Sequence, residues 1–183
     1  MNDKYNLSSK EQDIASHIKG IMSLLGIEET PSNIDTPKRI AKMYSREVFS
    51  SEGKDLAELD AQMTTFINTD LSSMPVTMTG IKFSSMCAHH WLPFFGEVEI
   101  SYTPFTKVIG LSKLPRVVKW FSKKPQTQEE MTKEIGNYLA VFLNPRSLSV
   151  KVTALHTCVA CRGIESVGTE TITEYRYNRR EDA

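Results

Sequence analysis

Cysteine and histidine, the side chains best suited to bind zinc, are concentrated in two short windows of this chain. The 183 residues contain three Cys and four His. Two of these Cys and three of these His lie in residues 86–91 (MCAHHW) and 155–158 (LHTC). Because the windows are far apart in the sequence, a metal centre built from both requires a fold that brings the two segments together.

The spacing of these residues predicts a catalytic metal site. Cys87 and His90 are separated by three positions, which allows both side chains to reach one ion. With Cys158 they make a set of three ligands, which leaves the fourth zinc position open for water. Zinc lowers the pKa of such a water to about 7, and His89 and His156 are then candidates for proton transfer. On a single strand, His156 and Cys158 would point to the same face.

Other interpretations of the same residues stay open. Cys87 and Cys158 could be ordinary buried thiols, although five Cys and His residues in two windows argue against this. Cys158 and Cys161 also form a C-x-x-C motif, so both could join Cys87 and His90 in a closed structural site. A chain of this length can bury a core without a metal, which favours the open site. A zinc deaminase is not indicated, because no Glu follows either His of the first window at the required spacing.

Composition and charge exclude several functional classes. Lys and Arg together number 22, as do Asp and Glu, so the net charge of zero argues against a general nucleic-acid binder. The sequence has neither an apolar span long enough for a membrane helix nor the apolar run of a signal peptide at its N-terminus. An odd number of cysteines argues against a disulfide framework. We therefore expect a cytoplasmic protein with no membrane or nucleic-acid partner.

Hydrophobic periodicity predicts an N-terminal helical arm over residues 1–60 and an α+β domain over residues 61–183. Helices of the arm are expected to begin at Ser8 or Ser9 and at Thr36. In the domain, two strands, two helices and two further strands follow, which is the order ββααββ of an antiparallel sheet with helices. The last two strands are expected at residues 148–158 and 164–177.

Basic residues form a second candidate site, suited to a substrate with several negative charges. Arg162 is close to Cys158 in the sequence, and Ser112 with Lys113 begins a predicted helix, where phosphate oxygens can be held. Helical stripes of Arg and Lys are usually solvated faces, and the sequence alone does not show whether these residues converge. The basic candidates are Arg39, Lys42, Lys113, Arg116 and Arg162.

The order of the motifs resembles that of the GTP cyclohydrolase I family. The matching segments cover roughly residues 10–175 and occur in the family's order, which is far more specific than any one of them alone. They are residues 35–44 (DTPKRIAKMY), 87–90 (CAHH), 108–113 (VIGLSK) with Arg116, 125–129 (PQTQE), and 156–158 (HTC) with Arg162 and Gly163.

The resemblance implies the tunnelling fold, in which a ββααββ unit carries two helices on one face of an antiparallel sheet. In this fold the sheets of several subunits join side by side into a barrel. The implied assembly is a homodecamer of two stacked pentamers, with active sites at subunit interfaces. The implied reaction converts GTP and water to formate and 7,8-dihydroneopterin triphosphate, the entry to folate and pterin synthesis.

The resemblance also assigns roles to individual residues. His156 looks like the acid that protonates N7 of guanine, and His89 like a group that assists later proton transfers. Gln128 and Glu129 look like the guanine readers, because a carboxylate can accept from both N1–H and the 2-amino group. The implied zinc ligands are Cys87, His90 and Cys158. The implied triphosphate ligands are Arg39, Lys42, Ser112, Lys113, Arg116 and Arg162.

The chain departs from the family pattern at two positions. Ala88 stands where the family's first motif usually has Glu, so a pocket carboxylate is missing. Cys161 is unusual at its position and could compete for metal. Two alternatives to the cyclohydrolase remain: a related tunnelling-fold nitrile reductase, which uses a nucleophilic Cys and NADPH, and a non-catalytic structural zinc module.

Overall fold

The structure is a computed structural model that describes residues 5–69 and 73–179. The chain divides into two compact units, residues 1–50 and residues 51–183. The boundary expected from the sequence, at residue 60, remains a prediction about which parts fold independently. Within the described residues, no helix is both long enough and apolar enough to cross a membrane.

The first unit contains helix α1 (Ser9–Leu24) and helix α2 (Thr36–Met43), which continues into a π-helical turn (Tyr44–Val48). Ser8 caps α1, because its hydroxyl accepts from the Glu11 N–H while the Glu11 carboxylate accepts from the Ser8 N–H. Both helices predicted for the arm are confirmed, since α1 begins at Ser9 and α2 at Thr36.

Glu11 is a buried charged residue of the first unit, with 3% of its surface exposed. Arg46 binds its carboxylate in a bidentate manner, with Nε 2.6 Å from Oε1 and Nη2 2.7 Å from Oε2. The hydrogen bond from Arg46, assisted by that from the Ser8 N–H, lowers the pKa of Glu11 to about 2. The ion pair therefore links α1 to the turn after α2 in a form that requires an ionised carboxylate.

The second unit is built on a five-stranded sheet with the strand order β5-β2-β3-β6-β7. Neighbouring strands are antiparallel except β5, which pairs in parallel with the end of β2. Strands β1 and β4 form a separate two-stranded sheet, which the sequence did not predict. The strands are β1 Thr65–Ile67, β2 Val76–Cys87, β3 Pro93–Thr103, β4 Lys107–Ile109, β5 Pro125–Gln126, β6 Ser147–His156 and β7 Glu170–Asn178.

Two longer helices, α4 (Lys113–Phe121) and α5 (Gln128–Leu143), pack on this sheet. Helix α4 contacts β2, helix α5 contacts β6 and β7, and the helices contact each other, so they lie on the same face. The order β2-β3-α4-α5-β6-β7 confirms the predicted ββααββ unit and its α+β class. Two short helices, α3 (Ala57–Asp60) and α6 (Thr157–Ala160), complete the unit.

The core lies between the sheet and these two helices. The apolar side chains of α4 are buried, and Thr127 caps α5 with a capping box that includes Glu130. Burying one aliphatic side chain of this kind contributes about 1.5–3 kcal/mol, so the sheet and helices are joined chiefly by these contacts. The fully buried core residues include Leu114, Val117, Val118, Met131, Ile135, Leu139, Val98, Ile100, Val150 and Val152.

The prediction that His156 and Cys158 lie on one strand is wrong. Strand β6 ends at His156, and Cys158 lies in α6. The Thr157 hydroxyl donates to the Pro93 carbonyl at 2.6 Å, and the Cys161 N–H donates to the Thr157 carbonyl at 2.8 Å. These two hydrogen bonds stop the strand and start a helical turn. The last strand likewise begins later than predicted, at Glu170.

Glu11→Gln is expected to destabilise the first unit in a pH-dependent manner. Because the pKa of Glu11 lies below its ordinary value of 4.5, the ionised group stabilises the fold above about pH 4.5 and loses this effect as the pH falls towards about 2. The melting temperature of the wild type should exceed that of the variant at pH 7, and the difference should narrow below pH 4.5. Circular dichroism melts measure both.

Glu28→Gln is the matched control, since Glu28 is an exposed carboxylate of the same unit. Its melting temperature should be close to that of the wild type both at pH 7 and below pH 4.5. A gap between wild type and Glu11→Gln that stays constant from pH 7 to pH 2 would contradict the role of the ionised carboxylate.

Candidate metal centre

The first window forms a tight connection between β2 and β3. The Cys87 N–H donates to the Leu92 carbonyl at 2.9 Å, and the Trp91 N–H donates to the Cys87 carbonyl at 2.8 Å. Trp91 adopts a φ of 52°, a left-handed conformation that is uncommon for a residue other than glycine. This turn places His89 Nδ1 3.7 Å and His90 Nδ1 3.9 Å from the Cys87 sulfur.

Strand β6 brings the second window to the same place. In the β3–β6 ladder, His156 pairs with Phe94, near the start of β3. The chain then enters α6, which is held to β3 by the hydrogen bond from Thr157 to the carbonyl of Pro93. Cys158 is thereby placed beside Cys87, at the end of β2. The two windows that the sequence predicts to meet are adjacent in the structure.

Cys87, His90 and Cys158 form a group whose ligand atoms lie within 4.8 Å of one another. Tetrahedral coordination with bonds of about 2.0–2.3 Å places ligand atoms roughly 3.3–3.8 Å apart, so small side-chain movements would close the group around an ion. Cys87 is buried, Cys158 is half-buried and His90 is exposed, which leaves one side of the group towards solvent. Two thiols and one imidazole are a donor set that fits zinc and similar metals.

Cys161 is not a member of this group, and it is exposed. It follows the last residue of α6, where its N–H closes the helical turn onto Thr157. The C-x-x-C motif therefore contributes Cys158, but not Cys161, to the group. The closed four-ligand site, which the sequence left open as an alternative, is not formed by the described residues.

The two neighbouring thiols are held in an environment that disfavours two negative charges. Burial, together with the hydrogen bond and charge of Cys87, raises the pKa of the Cys158 thiol above its ordinary value. A bound cation would reverse this preference, because metals bind thiolates rather than thiols.

His156 lies half-buried at the end of β6, held on two sides. Its ring stacks on the Phe94 ring, with centroids 4.8 Å apart and planes 1° from parallel. Its Nε2 is 2.7 Å from Oε1 of Gln128. Burial lowers the pKa of His156, while the charge of Glu129 acts in the opposite direction. The sequence did not identify Phe94 as part of the site, because an aromatic residue on a strand carries no signal of its stacking partner.

The two predicted guanine readers have different environments, although they are adjacent in the first turn of α5. Gln128 is 1% exposed, and its amide nitrogen donates to oxygen atoms of β6 and β7. Glu129 is exposed to solvent. A ligand approaching from outside can therefore meet the carboxylate of Glu129, whereas the side chain of Gln128 is occupied inside the protein.

The predicted anion-binding residues are placed in three regions. Arg162 donates from Nη1 to His90 Nε2 at 3.0 Å, which brings a cation into contact with the metal group. Ser112 and Lys113 lie at the N-terminus of α4, and Arg116, one turn further, donates to Gln62. The remaining two residues, Arg39 and Lys42, lie on α2 of the first unit.

Comparison with known proteins gives one consistent family. The sequence model of the GTP cyclohydrolase I family matches residues 14–182. The GTP cyclohydrolase 1 of Blochmanniella pennsylvanica is 41% identical over 169 residues, which cover 92% of this chain and 75% of that protein. The GTP cyclohydrolase 1 of Latilactobacillus sakei subsp. sakei is 39% identical over 171 residues, which cover 92% of this chain and 89% of that protein.

Among solved structures, the apo crystal structure of an archaeosine synthase QueF-Like protein superimposes with a TM-score of 0.48 and 17% sequence identity. The superposition covers 60% of this chain and 98% of that chain. A likeness at this level does not bear on activity.

Cys158→Ser is expected to abolish high-affinity binding of a divalent transition metal, whereas Cys161→Ala should retain about one equivalent per chain. The reason is that Cys158 supplies a ligand atom to the group and Cys161 does not. Titration of metal-stripped protein with Co²⁺ measures both, because thiolate coordination gives a charge-transfer absorption band. Cys161→Ala is the matched control from the same C-x-x-C motif, and loss of metal in that variant would show that the site is closed by a fourth protein ligand.

Proposed function

This chain belongs to the GTP cyclohydrolase I family, and from that premise we propose that it converts GTP and water to formate and 7,8-dihydroneopterin triphosphate. The observation that carries the proposal is the group of Cys87, His90 and Cys158, which folding assembles from two distant segments. His156, two residues before Cys158, can supply the acid, and Glu129, whose charge acts on His156, can supply the carboxylate that reads guanine. The product would enter folate or pterin synthesis.

We propose zinc as the resident metal, held by Cys87, His90 and Cys158. Thiolate and imidazole are the ligands that zinc commonly takes in proteins, and a set of three leaves room for a fourth ligand. When bound, zinc would supply Lewis-acid activation of water at neutral pH. The reducing cytoplasm, which we propose as the compartment, would keep the three free cysteines available as thiols.

His156 is the proposed acid that delivers a proton to N7 of guanine as the imidazole ring of the base opens. Its stack on Phe94 and its contact with Gln128 restrict rotation of the ring, so the proton is delivered from a fixed position. His89 is exposed next to the Cys87 sulfur, and we assign to it the later proton transfers that accompany opening of the ribose and closure of the pterin ring.

Glu129 is the proposed reader of the guanine base. Its exposed carboxylate has two acceptor oxygens, which match the N1–H and 2-amino donors of guanine. Adenine presents no donor at N1 and lacks the 2-amino group, so the same carboxylate would discriminate against ATP.

We propose that basic side chains from the regions described above bind the triphosphate. Arg162 lies beside the metal group, and the N-terminus of α4 offers Ser112 and Lys113 together with the positive end of a helix dipole. Arg116, Arg39 and Lys42 would add further positive charge. Arg is well suited to this role because its planar guanidinium can bind phosphate with two hydrogen bonds.

We propose that the active protein is a homodecamer of two pentamers with active sites at subunit interfaces. Both edges of the five-stranded sheet support this. Within the described residues, β7 pairs only with β6, and the outer side of β2 pairs only at Met86 and Cys87. Exposed edges of this kind are templates for pairing with another chain. Strand β7 of one subunit next to β2 of another would continue the sheet around a ring.

Incubation with GTP is expected to produce formate and a fluorescent pterin, and a zinc chelator should abolish both. Added Zn²⁺ should restore turnover, and Cys158→Ser should be inactive where the Cys161→Ala control is active. Bound metal without turnover of GTP would indicate a structural zinc module instead. Consumption of NADPH with a deazaguanine nitrile, and none of GTP, would indicate the nitrile reductase.

Glu129→Gln is expected to lower kcat/KM for GTP by about 10- to 100-fold, since hydrogen bonds to a charged group contribute about 1.5–3 kcal/mol. Inosine triphosphate, which lacks the 2-amino group, provides the control substrate. The wild type should prefer GTP over inosine triphosphate, and the variant should lose most of that preference.

Glu134→Gln is the matched control variant, because Glu134 lies on the same helix but pairs with Lys124. It should keep the preference for GTP. If Glu129→Gln also kept the full preference, the base would have to be read by other groups.

A further inference from the structure

The side chain of Gln128 has a hydrogen-bonding environment that fixes its orientation. Its Nε2 lies 3.1 Å from the Val152 carbonyl, 3.0 Å from the Thr171 carbonyl and 3.1 Å from the Thr173 hydroxyl. Carbonyl oxygens can only accept hydrogen bonds, so the atom that faces them must be the NH₂ group. The opposite orientation would place Oε1 against the two carbonyl oxygens, which cannot donate to it.

A chain of hydroxyl groups gives the same orientation independently. The Thr132 hydroxyl donates to the Gln128 main-chain carbonyl at 2.7 Å. Its single hydrogen is thereby used, so at the 2.6 Å contact between the two threonine hydroxyls Thr173 is the donor. The Thr173 oxygen is then an acceptor for the Gln128 amide. Each hydrogen in this ring of contacts has one consistent direction.

The orientation of Gln128 determines the protonation pattern of His156. With NH₂ turned towards the strands, Oε1 is the atom that lies 2.7 Å from His156 Nε2. Oε1 can only accept, so His156 Nε2 must carry a hydrogen. In the neutral ring the lone pair is consequently on Nδ1. The parallel stack on Phe94 keeps the ring in the plane that this hydrogen bond requires.

We propose that Gln128 is a positioning residue that holds His156 as the Nε2–H tautomer, so that Nδ1 is the atom that exchanges protons with the substrate. This rests on the proposed function for its catalytic meaning. A proton that arrives at Nδ1 can be passed on from Nδ1 while the Nε2–H bond and its hydrogen bond to Gln128 stay unchanged. The ring therefore needs neither rotation nor tautomer exchange between successive transfers.

This role differs from reading of the guanine base, which the motif alone predicts for Gln128. A base reader contacts the substrate and contributes to its binding, whereas a positioning residue acts through His156 on the chemical step. The two roles therefore predict different changes in kinetic constants. A reader substituted by an apolar side chain raises KM, and a positioning residue lowers kcat with KM little changed.

The tautomer can be measured directly on the intact chain by solid-state nitrogen-15 NMR with labelled histidine rings. The chain has four histidines, and the signals of His156 are assigned as those missing from His156→Asn. We expect a protonated Nε2 and an unprotonated Nδ1 in the wild type. A wild-type ring protonated at Nδ1 alone would overturn the proposal. This measurement requires no GTP turnover, so its outcome is separate from that of the proposed function.

Gln128→Met is the test variant, because Met has nearly the same length but can neither donate nor accept strongly. We expect the two tautomers of His156 to mix, kcat with GTP to fall about 100-fold and KM to change less than about twofold. A rise in KM with kcat unchanged would overturn the proposal in favour of base reading. An unchanged tautomer in this variant would also overturn it.

Thr132→Val is the matched control, since it removes a hydroxyl from the same network but leaves the two carbonyl acceptors that orient Gln128. It should keep the wild-type tautomer and a kcat close to that of the wild type. Melting temperature and bound zinc are measured for both variants. If Gln128→Met does not fold, the wild-type tautomer still tests the proposal, because a ring protonated at Nδ1 alone contradicts it.

Discussion

Pairing of β3 with a strand on each side is the interaction on which the candidate site depends. On one side, Met86 pairs with Pro93 where the β2–β3 connection closes. On the other side, His156 pairs with Phe94 at the end of β6. The start of β3 therefore receives the ends of two strands that are distant in the sequence. A slip of one residue in either ladder would turn the side chains to the opposite face of the sheet and separate the ligand atoms.

The metal-binding residues could be predicted from their residue types and spacing, whereas the elements that carry them could be predicted only in part. Cys87 and His90 are close in sequence, so their convergence needs nothing beyond a tight turn. Cys158 was placed correctly beside them but on the wrong element, because the hydrogen bond from Thr157 to Pro93 ends the strand early. That contact joins the first residue of α6 to the first residue of β3, and hydrophobic periodicity carries no information about it. The ββααββ order was predictable, since α4 and α5 carry clear apolar faces and Thr127 caps α5. Strands β1 and β4 have three residues each and are too short for a periodic pattern.

The charge balance of the site follows from which cysteine joins the metal group. Two thiolates and one divalent cation sum to no net charge, so a third thiolate from Cys161 would make the centre an anion. Instead, Cys161 points to solvent and the next residue, Arg162, donates to His90. Ala88 acts in the same direction, because a Glu at this exposed position would add a negative charge next to the group. Both features leave the centre without an additional negative charge that would repel a polyanionic ligand.

Gln128 and Glu129 show why a motif can identify a site without identifying what each residue does there. The two positions differ by about 100° around a helix with 3.6 residues per turn, so one side chain enters the core while the next faces solvent. Both belong to the first turn of α5, which the Thr127 capping box begins and which the Gln128 amide links to β6 and β7. In the mechanism that we propose, Glu129 meets the substrate directly from this turn, whereas Gln128 acts through His156. The sequence places the two residues together, but the direction of their hydrogen bonds depends on carbonyl groups of β6 and β7 that only the folded chain brings to them.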